Sequence, residues 1–283
     1  VSSAASDVYK RQMLKDITIG QYYQTQSPIH KLDPRVKLVG TMVFLISLFL
    51  GRNIIMYVIA TLFLAAMIKI SNVPFKFMVR GLKSIVFIAI FSAVFNLFLT
   101  DGEPIVQFWI FRLTWEGVEM ASFMVIRLIY LIIGSSLMTL TTTPNDLTDG
   151  LEKGLGFLNK VRVPVHEIAM MMSIALRFIP ILIEETDKIM KAQMARGADF
   201  EHGSLMQRAK AMIPILVPLF VSAFRRANEL ATAMEARCYH GGEGRTKMRP
   251  LKYKACDHRA YLVLALYLVL MIAIRVLRGG ALI

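Results

Sequence analysis

Cysteine is nearly absent. Cys238 and Cys256 are the only two in 283 residues, and neither has a partner at CxxC spacing. That excludes a zinc ribbon and a dithiol redox motif. The five histidines (His30, His166, His202, His240 and His258) are scattered without HExxH or comparable ligand spacing, so no metal site is expected. No GxxxxGKS/T run occurs, which removes a phosphate-binding loop. Gly241 to Thr246 (GGEGRT) is glycine-rich, but it lacks the lysine and follows a helix instead of opening one. No Ser-His-Asp or paired-carboxylate arrangement emerges either. The chain is therefore expected to be no enzyme and to carry no cofactor.

Charge is also scarce. Asp, Glu, Lys and Arg make up 19% of residues, against a usual figure of about 25%. Hydrophobic residues reach 55% and the mean hydropathy is +0.53. Soluble domains are roughly 45–50% apolar, and here the apolar residues gather into long runs. This is the composition of a membrane protein with a substantial polar part. What charge exists is mostly positive, for a net +13 and a pI near 9.9. No nucleic-acid recognition motif accompanies it, so nucleic acid is not an expected partner. The excess fits basic residues on the cytoplasmic flanks of membrane spans, against anionic lipid.

Residues 1–12 (VSSAASDVYKRQ) are polar and small, without the apolar core of a signal peptide. They read as a non-native extension ahead of Met13.

Residues 13–140 read as an N-terminal region of four transmembrane helices. Asp33 is a candidate N-cap before Pro34 at the first helical position. Two apolar runs follow, about 36–50 and 54–70, broken at Gly51-Arg52-Asn53. Each is short of the roughly 30 Å hydrocarbon core. Arg35 and Lys37 flank the front, and Lys69, Lys76, Arg80 and Lys83 the back. Basic residues at both outer ends demand an even number of crossings, so the runs read as a two-span hairpin with a cytoplasmic N-terminus. Spans three and four are about 82–100 and 117–140. Between them lies an acidic, Trp-bearing segment, Asp101 to Glu116, read as an external loop. Pro144 follows the fourth span, which contains Arg127. Residues 259–283 hold a fifth span.

Residues 141–258 differ in character: charges recur, and prolines fall at 144, 164, 180, 214, 218 and 250. Two amphipathic helices are expected here, in a cytoplasmic domain and not as spans. The first ends on Ala195-Arg196-Gly197 and the second on Ala236-Arg237-Cys238. Pro180 is expected to kink or split the first helix. One arginine near a helix C-terminus needs no function, because it answers the helix dipole for about 0.3–1 kcal/mol. Two arginines, each bracketed by small residues at equivalent places, read as docking cations. Small flanks permit close approach, and arginine suits a bidentate grip on a carboxylate.

These triplets resemble those of the transmembrane T components of energy-coupling factor (ECF) transporters, the EcfT/CbiQ-type family. LDPRVKL, TTTPNDLTDGLEKG and LRFIPIL add to the likeness, which runs from Met13 to the C-terminus. The resemblance implies an all-α, polytopic protein of about five transmembrane helices with a cytoplasmic coupling domain inserted before the last. It implies a multi-pass protein in the cell membrane of a prokaryote. It implies two ABC-type ATPase subunits as partners, docked at Ala195, Arg196, Gly197, Ala236, Arg237 and Cys238, and a membrane-embedded substrate-binding S component beside the chain in the lipid bilayer. The cargo would be a vitamin or a metal ion. Cys238 stands where the family more often has glycine. The alternative is a stand-alone secondary transporter or channel, which would usually carry inverted repeats and midplane polar residues; apart from Arg127 and Asn96 there is little of either.

Overall fold

A computed structural model describes residues 22–51, 53–80, 82–99, 104–108, 111–198, 200, 204–242, 248 and 250–277. The expected extension, residues 1–12, lies outside the described residues. Apart from the N-terminal residues, the chain forms two units. One is Leu151–Pro250; the other joins Gly20–Gly150 to Leu251–Ile283.

In the second of these, α1 (Pro34–Ser47), α2 (Ile54–Ser71), α3 (Phe75–Arg80), α4 (Leu82–Leu99), α5 (Trp115–Thr141), the start of α6 (Pro144–Gly154) and α9 (Ala255–Leu277) follow one another. The break between α1 and α2 has a local cause: the Asn53 side chain accepts the Ile55 N–H at 3.1 Å and caps α2. Helix α1 has only 14 residues, or roughly 21 Å. The segment expected to be a plain external loop instead contains a two-stranded antiparallel hairpin, β1 (Pro104–Phe108) with β2 (Phe111–Thr114). Thr114 ends the hairpin and caps α5, its hydroxyl accepting the Gly117 N–H at 3.2 Å.

The architecture is all-α and polytopic apart from that hairpin. Among the described residues, α2, α5, α7 (Val165–Ala195) and α9 are long and apolar enough to cross a membrane. Helix α7 meets that criterion although its residues read as cytoplasmic; its apolar half, before Glu184, is what satisfies it.

The apolar core lies between α1, α2, α5 and α9. Phe44, Met56, Ala60, Leu64, Ile133, Leu137, Tyr267 and Met271 are buried together. Phe63 stacks on Tyr267 with ring centroids 4.4 Å apart, and the Tyr267 hydroxyl meets Ser47 Oγ at 2.7 Å. Gly134 allows α5 to approach Phe44: a Cβ there would lie 2.8 Å from the ring. Arg127 inside α5 is not left to lipid. Its Nε donates to Tyr57 Oη at 3.1 Å, and its guanidinium lies 5.0 Å from the Phe49 ring centroid. The Asn96 side chain lies outside the described residues.

Polar contacts lock one end of these helices. The Asp33 side chain caps α1 and pairs with Arg35 through two contacts of 3.0 Å, Nε to Oδ1 and Nη2 to Oδ2. The Arg35 guanidinium lies 3.9 Å over the Tyr253 ring. Asp257, 1% exposed, accepts the Asp33 N–H at 2.8 Å and the Lys254 N–H at 2.7 Å. One carboxylate thus ties the start of α1 to the start of α9. Lys37 Nζ donates to the carbonyls of Thr141 (2.8 Å) and His30 (3.2 Å), drawing in the end of α5. The LDPR run is therefore a structural knot.

Removing the knot's acceptor should be costly, because a buried N–H left without a partner loses about 1–3 kcal/mol. Asp257→Ala is expected to lower the apparent unfolding temperature of the detergent-solubilised protein by several degrees, and Asp257→Asn by less. An unchanged melting curve for Asp257→Ala would show that the knot contributes nothing.

Candidate functional site

The candidate site is built on the hairpin of α7 and α8 (Leu205–Glu235), both within Leu151–Pro250. Each helix has 31 residues and runs unbroken through its prolines, Pro180 in α7 and Pro214 and Pro218 in α8. The expected split at Pro180 does not occur. A proline removes one N–H and one backbone hydrogen bond, which a long helix tolerates when the freed carbonyl finds another donor. In α8 that donor is visible. Pro218 has no N–H to give the Pro214 carbonyl, and Gln193 Nε2 of α7 donates to it at 3.4 Å.

The same contact begins an antiparallel register. Gln193 meets Pro214; Glu185 meets Ser222 and Arg226; the stretch Met170 to Arg177 faces Leu230 to Gly241 across a cleft of about 640 Å³. Midway, Arg226 donates twice to Glu185 Oε2, at 3.2 Å from Nε and 3.0 Å from Nη2, while the Ser222 hydroxyl donates to Oε1. The Ser222 hydroxyl first, then Arg226, hold the Glu185 carboxyl below the ordinary carboxylate range. A lowered value means the pair is intact at neutral pH and is lost only as pH falls through that lowered value.

The apolar stripes expected to organise these helices do not face each other. Phe220 and Phe224 are 62% and 68% exposed, and Met212, Ile213, Leu216, Val217 and Val221 are exposed with them. Ile168, Met171 and Met172 of α7 are also exposed. The seam joins a polar trio to buried Ile215, and a broad apolar face stays open.

Both triplets end their helices by the same hydrogen-bond pattern. After α7, the Gly197 N–H donates to the Met194 carbonyl (2.9 Å) and the Ala198 N–H reaches back to Gln193 (3.0 Å). After α8, the Cys238 N–H donates to Glu235 (2.9 Å) and the Tyr239 N–H to Met234 (3.0 Å). This is the Schellman stop, in which the residue past the cap turns left-handed. Gly197 has φ +88° and Cys238 φ +56°. The third residue of each triplet is thus held in the left-handed region, which explains Gly197 and leaves Cys238 as the costlier of the two. Glycine adopts this region freely, whereas an L-residue does so at roughly 1–2 kcal/mol.

The stop places Arg196 and Arg237 at matching positions, each directly before the left-handed residue. Both are exposed, and neither side chain has an ion pair or hydrogen bond among the described residues. The antiparallel register then puts them at opposite ends of the hairpin. Arg237 lines the cleft beside Met170 and Arg177, while Arg196 follows the far end of α7. That separation is 19 to 26 residues of α7, or roughly 30–40 Å.

The loop after the second triplet is seated by His166. Its Nδ1 meets Glu152 Oε1 at 2.9 Å, and Gly242 passes so close that a Cβ there would sit 2.3 Å from the ring. Sequence reasoning missed this pair, since no ligand-like spacing marks it. Both cysteines are free and exposed.

The family model described as CbiQ, cobalt transport protein, matches residues 25–248. The chain is 53% identical over 245 residues to the energy-coupling factor transporter transmembrane protein EcfT of Ruminiclostridium cellulolyticum, covering 87% of this chain and 92% of that one. It is 54% identical over 252 residues to the protein of the same name in Clostridium kluyveri, covering 88% and 93%. With the Bacillus subtilis protein of that name it shares 49% over 246 residues, covering 87% and 93%.

The two stops differ in one testable way. Cys238→Gly should relieve the left-handed residue by about 0.5–1 kcal/mol and slow amide exchange at Tyr239, while Gly197→Ala should cost about 1 kcal/mol and quicken exchange at Ala198. Changes of the opposite sign would contradict the shared stop.

Proposed function

The chain belongs to the CbiQ family, alongside the EcfT transmembrane proteins of energy-coupling factor transporters, and from that premise we propose that it is the non-catalytic scaffold of an ATP-driven importer. It is a multi-pass membrane component of a transporter. In this reading two ABC-type ATPase subunits dock on the ends of α7 and α8, and a separate membrane-embedded subunit binds the cargo, a vitamin or metal ion. ATP hydrolysis takes place in the partners.

The observation that carries the reading is the pair of matching arginine stops. Each presents one exposed cation on a rigid helix end, and the two are held far enough apart for each to meet a different ATPase subunit. An acidic groove on each ATPase would complete the contact, with arginine gripping a carboxylate through two hydrogen bonds. Because α7 and α8 are joined mid-length by Glu185, Arg226 and Ser222, a displacement at one end is passed along the hairpin. The pair then acts as a lever between nucleotide-driven motion and the cargo-binding subunit.

We assign residues 141–258 to the cytoplasmic side, α7 included. Its second half, from Glu184 to Lys191, carries five charges, and Glu185 is bound to an arginine of its neighbour, which suits an aqueous boundary better than the bilayer centre. The open apolar face of α8 belongs against lipid and the cargo-binding subunit, since so large a patch is not left to water. The positive flanks of α1 and α2 support assigning the N-terminus to the same side.

Charge reversal tests the docking directly. Arg196→Glu combined with Arg237→Glu should reduce co-purifying ATPase at least tenfold while membrane insertion is unchanged. Recovery of ATPase at wild-type yield would refute it, and transport by the chain alone in liposomes would favour a secondary transporter.

A further inference from the structure

We propose that the cleft between α1, α2, α5 and α9 binds one anionic phospholipid, with an acyl chain along its apolar walls and the phosphate on Arg259. The cleft has a volume of about 360 Å³ and lies in the unit that holds the polar knot. Its inner walls are Phe44, Phe63, Met67, Leu137, Val263 and Leu264. Its polar and charged lining gathers toward one end, where Lys37, Thr141, Cys256 and Arg259 sit near the starts of α1 and α9 and the end of α5. From Lys37 to Phe44 the cleft follows seven residues of α1, about 10 Å, which is most of one leaflet's hydrocarbon thickness of roughly 15 Å. A cation at one end and hydrocarbon for the remaining depth match an amphiphile with an anionic head.

Charge complementarity identifies that head. Arg259 is exposed and has no ion pair among the described residues. The carboxylates beside it are committed: Asp33 to Arg35, and Asp257 to the N–H groups of Asp33 and Lys254. Asp146, which acts on Lys37 with Asp33 and Asp257, forms no ion pair with Arg259 among the described residues, so the Arg259 guanidinium is open to an anion from outside the chain. A phosphodiester at the membrane surface supplies it, and arginine binds phosphate through two parallel hydrogen bonds. Lys37 adds positive charge at the same end, its ammonium held by the carbonyls of His30 and Thr141. Basic pockets between membrane helices select anionic headgroups on these grounds. The close approach of α1 and α9 makes the wall: a Cβ on Gly40 would lie 3.1 Å from Leu264.

The two cysteines report on the site without mutation. Cys256 lines the cleft, Cys238 does not, and both are exposed. The full chain is placed in bilayer discs of phosphatidylcholine, with or without about one-third phosphatidylglycerol, and N-ethylmaleimide labelling is followed at each cysteine by peptide mass. Phosphatidylglycerol should slow Cys256 about fivefold relative to Cys238, phosphatidylcholine alone should not, and Arg259→Gln should abolish the difference. Equal Cys256 rates in the two lipids overturn the proposal. So does protection that persists in Arg259→Gln, since that is a general surface-charge effect. Protection seen only when a partner membrane subunit is co-reconstituted assigns the cleft to a protein helix and also overturns it. If Arg259→Gln does not give a monodisperse protein, Arg259→Lys (expected to keep partial protection) and Ala260→Phe (expected to make labelling independent of lipid) decide in its place.

Discussion

A helix cannot satisfy its own last carbonyls, and the way these two helices solve that problem shapes the rest of the candidate site. One left-handed residue, Gly197 or Cys238, folds the chain back so that the next two N–H groups reach the carbonyls of the final turn. The residue before it is then held at the helix end with its side chain exposed. In both cases that residue is an arginine. The backbone constraint fixes the position, and the arginine supplies the cation. A flexible tail with the same arginine would spend conformational entropy on binding that this arrangement has already lost on folding.

The seam between α7 and α8 sets where those cations stand. Its fixed points are polar, with Glu185 bound to Arg226 and Ser222, and Gln193 to a carbonyl that Pro218 has freed. An apolar seam could slide by a turn at little cost; directional hydrogen bonds specify one register. The apolar surface is released to face outward instead, along α8 from Met212 to Phe224. In the other unit the allocation is reversed. Apolar side chains pack inside, and polar contacts concentrate at one end, where Asp33, Arg35, Lys37, Tyr253 and Asp257 join three helix termini.

Much of this was legible in the sequence, unevenly. Asp33 before Pro34 is a cap by residue type alone, and it caps α1. The two arginine triplets were visible as a repeat, and their place at helix ends followed from the glycines nearby. The left-handed turn at the third residue was legible at Gly197 and not at Cys238, since cysteine carries no preference for that region. Pro180 suggested a kink or split, yet helices of 31 residues carry Pro180, Pro214 and Pro218, and at Pro218 a donor from Gln193 replaces what proline removes. The helical period located the apolar stripes of α7 and α8 without saying what they face, and they turn away from each other. The β1–β2 hairpin, the His166–Glu152 pair and the cleft beside Arg259 depend on residues distant in sequence or on backbone pairing, which no local pattern encodes.

One arrangement underlies the candidate site: the two arginine stops are held at opposite ends of one antiparallel helix pair. Its most direct measurement is an electron–electron distance between spin labels on native Cys238 and on Ala198→Cys, in a Cys256→Ser background. The register predicts one narrow distribution centred at roughly 30–40 Å. A distribution near 15–20 Å, or one spread across the whole range, would put the stops together or leave them unfixed and would contradict it.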